Sequence, residues 1–235
     1  MNAPLVLAAH GSPHPAHRPA VDALRRAVAA ATGADVRVGW LEHARPSVPA
    51  AVRAAALGGR RPVVAPLLLA AGHHARVDLP RLLRDLPVVR LAPVLGPDPL
   101  LAVAVDRRLR EAGAQADAHV VLAGAGSSDP DALAQVEEVG ALLAELRATT
   151  VTCAYASGAG DRVDAVVRRL AARGRRVVVA TYLLGPGALA DRVRRRALAA
   201  GAEVVSEPIG VAPELVELVR RRWAASGVAA SRPAA

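Results

Sequence analysis

The chain has 235 residues, enough for one large domain or for two lobes of roughly 115 residues each. Hydrophobic residues make up 53% of it, without a single Phe, so its core must be built from aliphatic side chains. The single cysteine excludes an internal disulfide, and a net charge of +9 whose 30 basic residues are all arginine indicates biased composition as much as an acidic partner.

Two classes of partner are not expected. The aromatic side chains on which single-stranded nucleic acids stack make up only 2% of the chain, so we predict no nucleic-acid partner. The apolar run near the start, Leu5–Ala9, is too short for a signal peptide or a membrane span. We therefore predict a cytoplasmic protein without a membrane partner.

In chain order, the first half alternates short apolar runs with helical patterns. The apolar runs cover residues 5–9, 36–41 and 63–69, and the helical patterns cover residues 19–32 and 47–57. The first helix is predicted to end at Gly33, and the second to begin with Ser47 as its N-cap. Strands separated by helices of this length predict βαβ units, and continuous apolar runs are typical of parallel strands covered on both faces.

The second half repeats this pattern. The His-Gly-Ser motif at residues 10–12 aligns with Ala-Gly-Ser at residues 125–127 at an offset of 115, and the run that begins at Val63 aligns with the run at Val177 at an offset of 114. We therefore predict an α/β fold of two tandem lobes that face each other across a cleft, each with a mainly parallel four-stranded sheet flanked by helices. The predicted boundaries are residues 1–115, residues 116–225 and a flexible tail at 226–235.

Loops at the predicted carboxyl ends of the strands carry the candidate chemistry, because open parallel sheets bind their ligands there. Five of the seven histidines and two carboxylates fall on these loops: His10, His14, His43, His73, His74, Glu42 and Asp78. Imidazole binds divalent iron, cobalt and nickel, and near neutral pH it can accept a proton. A reaction that holds a metal ion and removes protons from its acceptor suits this set.

Other roles remain open for several of these residues. His10 stands before a Gly-Ser pair and could cap a turn. His43 follows Glu42 directly, so strand alternation should point it the other way. One of His73 and His74 is expected to be a bystander, because consecutive loop residues rarely aim at the same point. Three further histidines are expected to be solvated or structural: His14, His17 and His119.

The Gly-Ser turns at residues 11–12 and 126–128 offer a second possibility, a site that holds phosphate. Neither turn matches the P-loop pattern, and the chain has no lysine to complete one. The sequence also lacks the G-x-S-x-G nucleophile elbow, which argues against a serine hydrolase.

Three motifs together resemble those of the sirohydrochlorin chelatases, the small class II chelatases of cobalamin and siroheme biosynthesis. They are the strand followed by His10-Gly11-Ser12; Trp40-Leu41-Glu42 followed by Arg45-Pro46-Ser47; and Gly72-His73-His74 continuing to Asp78-Leu79-Pro80, which is similar to the family's G-x-H-x-x-x-D-[IL]-P. The similarity covers nearly the whole chain, because residues 124–132 and 182–193 look like the second-lobe signatures of the longer family members.

The resemblance implies an activity and the residues that carry it. In its register His74, rather than His73, handles the metal, His10 is its partner, and Glu42 is an acidic helper in proton removal or metal delivery. The implied enzyme is a lyase that inserts Co²⁺ or Fe²⁺, as a substrate, into sirohydrochlorin or a related acidic tetrapyrrole. It needs no organic cofactor.

The resemblance also implies substrate contacts in both halves. The family's substrate carries eight carboxylates, which suits arginine because a guanidinium can bind a carboxylate through two hydrogen bonds. Ala125 stands where the first lobe has His10, and residues 185–191 hold no histidine, so the second lobe is expected to bind the macrocycle rather than the metal. The predicted substrate-binding residues are Gly11, Ser12, Arg45, Arg76, Ser127 and Ser128.

Two other functions stay open on the sequence alone. One is a carrier of metal or tetrapyrrole that uses the same histidines without catalysis. The other is an unrelated phosphate-handling α/β enzyme. The imidazole set does not choose between cobalt, iron and nickel. Because a chain with both lobes can form its cleft alone, we predict a monomer.

Overall fold

The computed structural model describes residues 2–86 and 89–228, which divide into two compact units. The first unit holds the described residues up to Leu95 and those from Leu215 onwards, and the second unit is Gly96–Glu214. Each unit contains one four-stranded sheet in which every pairing is parallel. The predicted α/β fold with two parallel four-stranded sheets flanked by helices is confirmed.

The first unit has the sheet order β2-β1-β3-β4, so β1 lies between the two strands that follow it in sequence. The carboxyl ends of β1, β2 and β3 therefore meet at one edge of the sheet. Its elements are β1 (Leu5–Ala9), α1 (His17–Thr32), β2 (Val36–Trp40), α2 (Val48–Ala55), β3 (Val63–Pro66), a π-helical turn (His74–Asp78), α3 (Leu79–Leu83) and β4 (Arg90–Leu91).

Local sequence accounts for the elements of this unit. All five residues of β1 are buried, as expected of a central parallel strand. Helix α1 ends at Gly33, whose left-handed backbone (φ 62°) lets its N–H bond the Ala29 carbonyl. Ser47 is the N-cap of α2, as predicted, although its side chain makes no capping hydrogen bond. Strand β3 is shorter than the predicted run, since the chain leaves the sheet after Pro66.

The second unit repeats this arrangement with the sheet order β6-β5-β7-β8. Its core is aliphatic, as the composition predicts, and Tyr182 is its largest fully buried side chain. Its elements are α4 (Pro99–Glu111), β5 (His119–Gly124), α5 (Pro130–Arg147), β6 (Val151–Tyr155), α6 (Val163–Ala171), β7 (Val177–Thr181), α7 (Ala188–Ala199) and β8 (Val204–Val205).

The compact units do not follow the sequence repeats at their last helices. Helix α4 ends the first repeat but packs in the second unit, where Arg108 donates to the Ile209 carbonyl through Nε (2.9 Å) and NH2 (2.8 Å). Helix α8 (Pro213–Val228) ends the second repeat but lies mostly in the first unit, where Trp223 donates to the Ala3 carbonyl (3.1 Å). The predicted lobes, 1–115 and 116–225, thus describe the repeats, whereas the compact units divide after Leu95 and Glu214.

The end of the chain also differs from the expected pattern. The predicted flexible tail begins at residue 226, but α8 continues to Val228. The rest of that predicted tail, residues 229–235, lies outside the described residues. Within the described part of the chain, no helix combines the length and the apolar character needed to cross a membrane.

The backbone hydrogen bonds refine the alignment of the two repeats. Leu67 N–H donates to Ala8 O in one unit and Tyr182 N–H donates to Ala123 O in the other, which is an offset of 115 at both ends. Val63 therefore corresponds to Val178, and the predicted match of Val63 to Val177 is one residue out of register. The offset is 114 at the last strand of each sheet, since Val63 pairs with Arg90 and Val178 pairs with Val204. The second repeat therefore has one residue fewer between its third strand and its last strand.

Candidate metal centre

The loops after β1 and β2 are locked together at the carboxyl edge of the first sheet. Glu42 N–H donates to the His10 carbonyl over 2.8 Å. Gly11 has a left-handed backbone (φ +96°), and a Cβ at this position would lie 2.0 Å from the Glu42 carbonyl oxygen. Only glycine allows this approach, so the predicted substrate-binding residue Gly11 has a structural role, which is to bring the Glu42 loop against His10.

His74 reaches the same edge from a different kind of element. It begins the π-helical turn, in which Leu79 N–H bonds the His74 carbonyl five residues back. Pro80, next in the chain, has no N–H with which to extend hydrogen bonding into this turn. π-helical turns are rare in proteins, and those that occur are often found at functional sites. Here the turn sets His74 and Asp78 side by side.

The two imidazoles face each other through their Nε2 atoms. His10 Nε2 and His74 Nε2 lie 3.0 Å apart, with ring centroids 4.5 Å apart and the planes at 79°. His10 Nδ1 lies 2.9 Å from the Gly11 carbonyl oxygen, and His74 Nδ1 lies 2.7 Å from Asp78 Oδ2. Because these oxygens only accept hydrogen bonds, both Nδ1 atoms carry the proton.

This tautomer leaves a lone pair on each Nε2, and the two nitrogens lie next to each other. Two acceptors 3.0 Å apart repel each other unless a cation or a proton lies between them. A metal–imidazole bond is about 2.0–2.1 Å long. If one ion binds both nitrogens with an N–metal–N angle of roughly 90°, the nitrogens are about 3 Å apart. The pair is therefore spaced to hold one metal ion.

Glu42 completes a set of three candidate ligands. Its carboxylate and the two imidazoles offer ligand atoms within 4.8 Å of one another, and the Glu42 side chain is exposed. Two histidines with one carboxylate and open positions suit divalent iron and similar ions. Among the described residues, this is the one group with such geometry. The three residues predicted to be catalytic thus come together in the first unit.

His43 differs from its expected orientation. Strand alternation predicted that it points away from Glu42, but β2 has ended at Trp40 and His43 has a left-handed backbone (φ 60°). Its Nε2 lies 3.5 Å from Glu42 Oε2, and its ring centroid lies 6.3 Å from that of His10. The sequence placed His43 among the candidate histidines but predicted its orientation wrongly, because alternation holds only within a strand.

Asp78 is a second residue whose role the sequence reasoning did not assign. It accepts from His74, and its other oxygen lies 3.5 Å from His73 Nε2. The spacing of four residues between His74 and Asp78 was the available signal, since residues four apart share a helix face. Of the two adjacent histidines, His74 faces His10, whereas His73 is 71% exposed.

The histidines expected to be solvated or structural lie elsewhere. His14 Nδ1 accepts from Ala16 N–H, and the His17 ring lies 6.1 Å from that of Trp40. In the second unit, His119 Nε2 lies 2.8 Å from Thr152 Oγ1, and burial lowers the pKa of His119 below its usual value. A structural role fits this position.

The other predicted substrate-binding residues are distributed over both units. In the first unit Arg45 and Arg76 are exposed, and Ser12 Oγ accepts from His14 N–H (3.1 Å). In the second unit Ser127 Oγ accepts from Asp129 N–H (3.0 Å), and Ser128 is exposed. Their contacts with a substrate remain predictions.

The second unit keeps the loop architecture of the first without its ligands. A Cβ on Gly126 would lie 1.8 Å from the Ser157 carbonyl oxygen, the same close approach that Gly11 makes. Ser157 N–H donates to the Ala125 carbonyl (3.0 Å), so Ala125 and Ser157 take the places of His10 and Glu42. This close approach of a glycine to the neighbouring loop therefore does not depend on the presence of metal ligands.

A cavity of about 360 Å³ lies in the second unit between α4, α7 and β8. Its arginines are already engaged, because Arg108 donates to the Ile209 carbonyl and Arg194 to Val205 O and Glu207. It contains none of the predicted site residues, so the chemistry is assigned to the cluster around His10 and His74.

Comparison with known proteins gives one family and a set of similar folds. The CbiX family model matches residues 4–112 and again residues 119–226. No curated protein sequence matches the chain significantly.

Solved structures similar to this chain include two forms of SirB. SirB from Bacillus subtilis with Fe³⁺ has a TM-score of 0.84 at 24% identity, over 97% of this chain and 96% of that chain. The sirohydrochlorin chelatase SirB from Bacillus subtilis subspecies spizizenii in complex with cobalt has a TM-score of 0.80 at 24% identity, with the same coverage of 97% and 96%. CbiX, the terminal enzyme for siroheme biosynthesis in denitrifying bacteria, has a TM-score of 0.74 at 24% identity, over 95% of this chain and 99% of that chain.

Proposed function

The chain belongs to the CbiX family, whose model matches both of its repeats, and we propose that it inserts a divalent metal ion into sirohydrochlorin or a closely related acidic tetrapyrrole. The metal, Co²⁺ or Fe²⁺, is a substrate of this reaction. The proposed enzyme is a lyase, and its chemistry requires no organic cofactor.

One observation carries this proposal: the Nε2 atoms of His10 and His74 face each other at 3.0 Å while both Nδ1 atoms are held by oxygen acceptors. Metal-binding histidines commonly donate their second nitrogen to a carboxylate or a backbone carbonyl, which fixes the ring and strengthens the ligand. Both partners are present here. The similar structures of SirB with Fe³⁺ and with cobalt support iron and cobalt as candidate ions.

The geometry supports a simple sequence of events. His10 and His74 hold the ion through Nε2, and an exposed Glu42 carboxylate lies close enough to share it. Four pyrrole nitrogens then replace the protein ligands, and the two pyrrole protons leave. Glu42 and the released imidazoles are the bases within reach, so they accept these protons. The net change is one divalent ion in and two protons out, which balances the charge.

We assign the binding of the macrocycle to arginine side chains on the basis of their charge. Arg45 and Arg76 are exposed on the loops that carry Glu42 and His74, and guanidinium binds the carboxylates of an acidic tetrapyrrole. Gly11, Ser12, Ser127 and Ser128 remain proposed substrate contacts through their backbone or hydroxyl groups. A monomeric state also remains part of the proposal.

A carrier that binds metal or tetrapyrrole without turnover is the second candidate, because the facing imidazoles would serve it equally well. The two functions differ in stoichiometry: a carrier gives at most one metallated product per chain. The phosphate-handling alternative has weaker support, because neither Gly-Ser turn matches the P-loop pattern and the chain has no lysine.

Anaerobic absorption spectroscopy of the purified chain with sirohydrochlorin and Co²⁺ or Fe²⁺ tests the proposal. We expect many turnovers above the uncatalysed rate, lost in His10→Ala and in His74→Ala. His14→Asn is the matched control, since Asn can replace the His14 acceptor for Ala16 N–H. If the wild-type rate equals the uncatalysed rate with both metals, the proposed chelatase activity is wrong.

A further inference from the structure

Four imidazoles form a connected series at the metal centre. The ring centroids of His43 and His10 lie 6.3 Å apart, those of His10 and His74 lie 4.5 Å apart, and those of His74 and His73 lie 6.3 Å apart. The inner pair is the proposed holding site. Each outer ring is adjacent to a different member of that pair.

The outer histidines are more exposed than the inner ones and each has a carboxylate. The side chain of His43 is 49% exposed, and its Nε2 lies 3.5 Å from Glu42 Oε2. The side chain of His73 is 71% exposed, and its Nε2 lies 3.5 Å from Asp78 Oδ1. Neither contact is short enough to fix the ring, so both rings are free to rotate toward an incoming ion.

Long-range electrostatics make local capture groups useful. The chain has a net charge of +9, so its overall field disfavours the approach of a dication. Exposed imidazole and carboxylate groups provide a local attraction that works within a few ångströms. Each outer histidine couples such a carboxylate to a nitrogen ligand beside the inner pair.

We propose that His43 and His73 are capture ligands, which bind the hydrated divalent ion first and pass it to His10 and His74. The inference rests on the proposed function, because it assumes that the inner pair holds the ion. An imidazole–metal bond is about 2.0–2.1 Å long, so two rings with centroids 6.3 Å apart can share one ion after a rotation of the outer ring.

The transfer is an exchange of ligands without any change in oxidation state. A water leaves the hydrated ion as the unprotonated nitrogen of the outer imidazole forms its bond. The inner Nε2 then forms a bond to the same ion, and the bond to the outer nitrogen breaks. No proton needs to move, because a neutral imidazole binds the ion through its unprotonated nitrogen.

Stopped-flow absorption of Co²⁺ mixed with the full chain, without tetrapyrrole, tests capture separately from catalysis. The variants are His43→Asn, His73→Asn and the double variant, because Asn tolerates the left-handed backbone at His43 and suits the helix start at His73. His14→Asn is the control. Circular dichroism establishes that each variant is folded, and the single variants report independently if the double variant is not.

We expect the association rate constant for Co²⁺ to fall about tenfold in the double variant, with smaller losses in each single variant, because the outer nitrogen ligands are lost while the carboxylates of Glu42 and Asp78 remain. The dissociation rate constant should fall in parallel, so the dissociation constant changes less than the rates. An unchanged association rate constant in the double variant would overturn the capture role. A larger dissociation constant that came only from a faster release of Co²⁺ would also overturn it. If the wild type binds no Co²⁺ at all, the holding pair fails and the proposed function fails with it.

Discussion

The His74 imidazole donates its Nδ1 proton to Asp78 Oδ2 over 2.7 Å, four residues further along the same π-helical turn. Because Nδ1 carries the proton, Nε2 of His74 keeps its lone pair, and this nitrogen faces His10. In the proposed centre Asp78 is therefore a positioning residue, which orients the His74 ring and raises the basicity of its Nε2.

Asp78→Asn should weaken Co²⁺ binding about 10- to 100-fold, because the amide no longer stabilises the Nδ1–H of His74 as a carboxylate does. The measurement is a Co²⁺ titration in competition with a chelator. Asp85→Asn is the matched control, since Asp85 is an exposed carboxylate just beyond α3. Equal affinity of the Asp78 variant and the wild type would remove Asp78 from the centre.

The pair His10 and His74 should behave as one unit in a double-mutant cycle. Each single Ala variant already destroys a site built on two imidazoles, so the double variant should lose little more metal affinity or activity than either single variant. Metal affinity and turnover are measured for all four proteins. Fully additive losses would mean that the two rings serve separate ions or separate steps.

Gly11→Ala should destabilise the first unit by roughly 3 kcal/mol, because the substitution combines a left-handed backbone with overpacking against a backbone carbonyl. The contact is the 2.0 Å approach of its Cβ to Glu42 O. Gly58→Ala is the control: Gly58 has φ +74° but nothing within 4 Å, so only the backbone cost of about 1 kcal/mol applies.

Urea unfolding with a probe specific to each unit measures this difference, since two units need not unfold together. Gly126→Ala extends the comparison, because its Cβ would lie 1.8 Å from Ser157 O in the second unit. It should lower stability there while leaving Co²⁺ affinity unchanged. Similar costs at Gly11 and Gly58 would show that the Glu42 loop moves aside.

His119 should make the stability of the second unit depend on pH. Burial, with a smaller contribution from Arg175, lowers the pKa of His119 below its ordinary value of 6.5. The unfolded chain then binds a proton that the folded chain does not, so the free energy of unfolding is highest above pH 6.5 and decreases as the pH falls toward the lowered pKa.

Unfolding experiments on either side of that ordinary value, for the wild type and for His119→Gln, check this prediction. The variant should lose part of the pH dependence, since its side chain does not titrate. His17→Gln is a comparison in the first unit. A dependence that is identical in the wild type and in His119→Gln would assign the effect to other histidines.

Much of the fold followed from local pattern. The apolar runs predicted the positions of β1, β2, β3 and β7, and Gly33 predicted the end of α1, because burial on both faces and a left-handed C-cap leave signals within a few residues. The lengths were less accurate at Pro66 and at the tail. Those ends depend on hydrogen bonds to other elements, which no local window contains.

Periodicity, self-similarity and a motif with fixed spacing were enough to predict the two parallel sheets, the tandem repeat and the candidate residues His10, Glu42 and His74. The folded chain was needed to show that α4 and α8 pack in the unit other than that of their own repeat, and which nitrogens face each other. Helix packing and ring orientation depend on residues far apart in the chain. His43 shows the same limit, because its left-handed backbone beyond the end of β2 reverses the direction that alternation predicts.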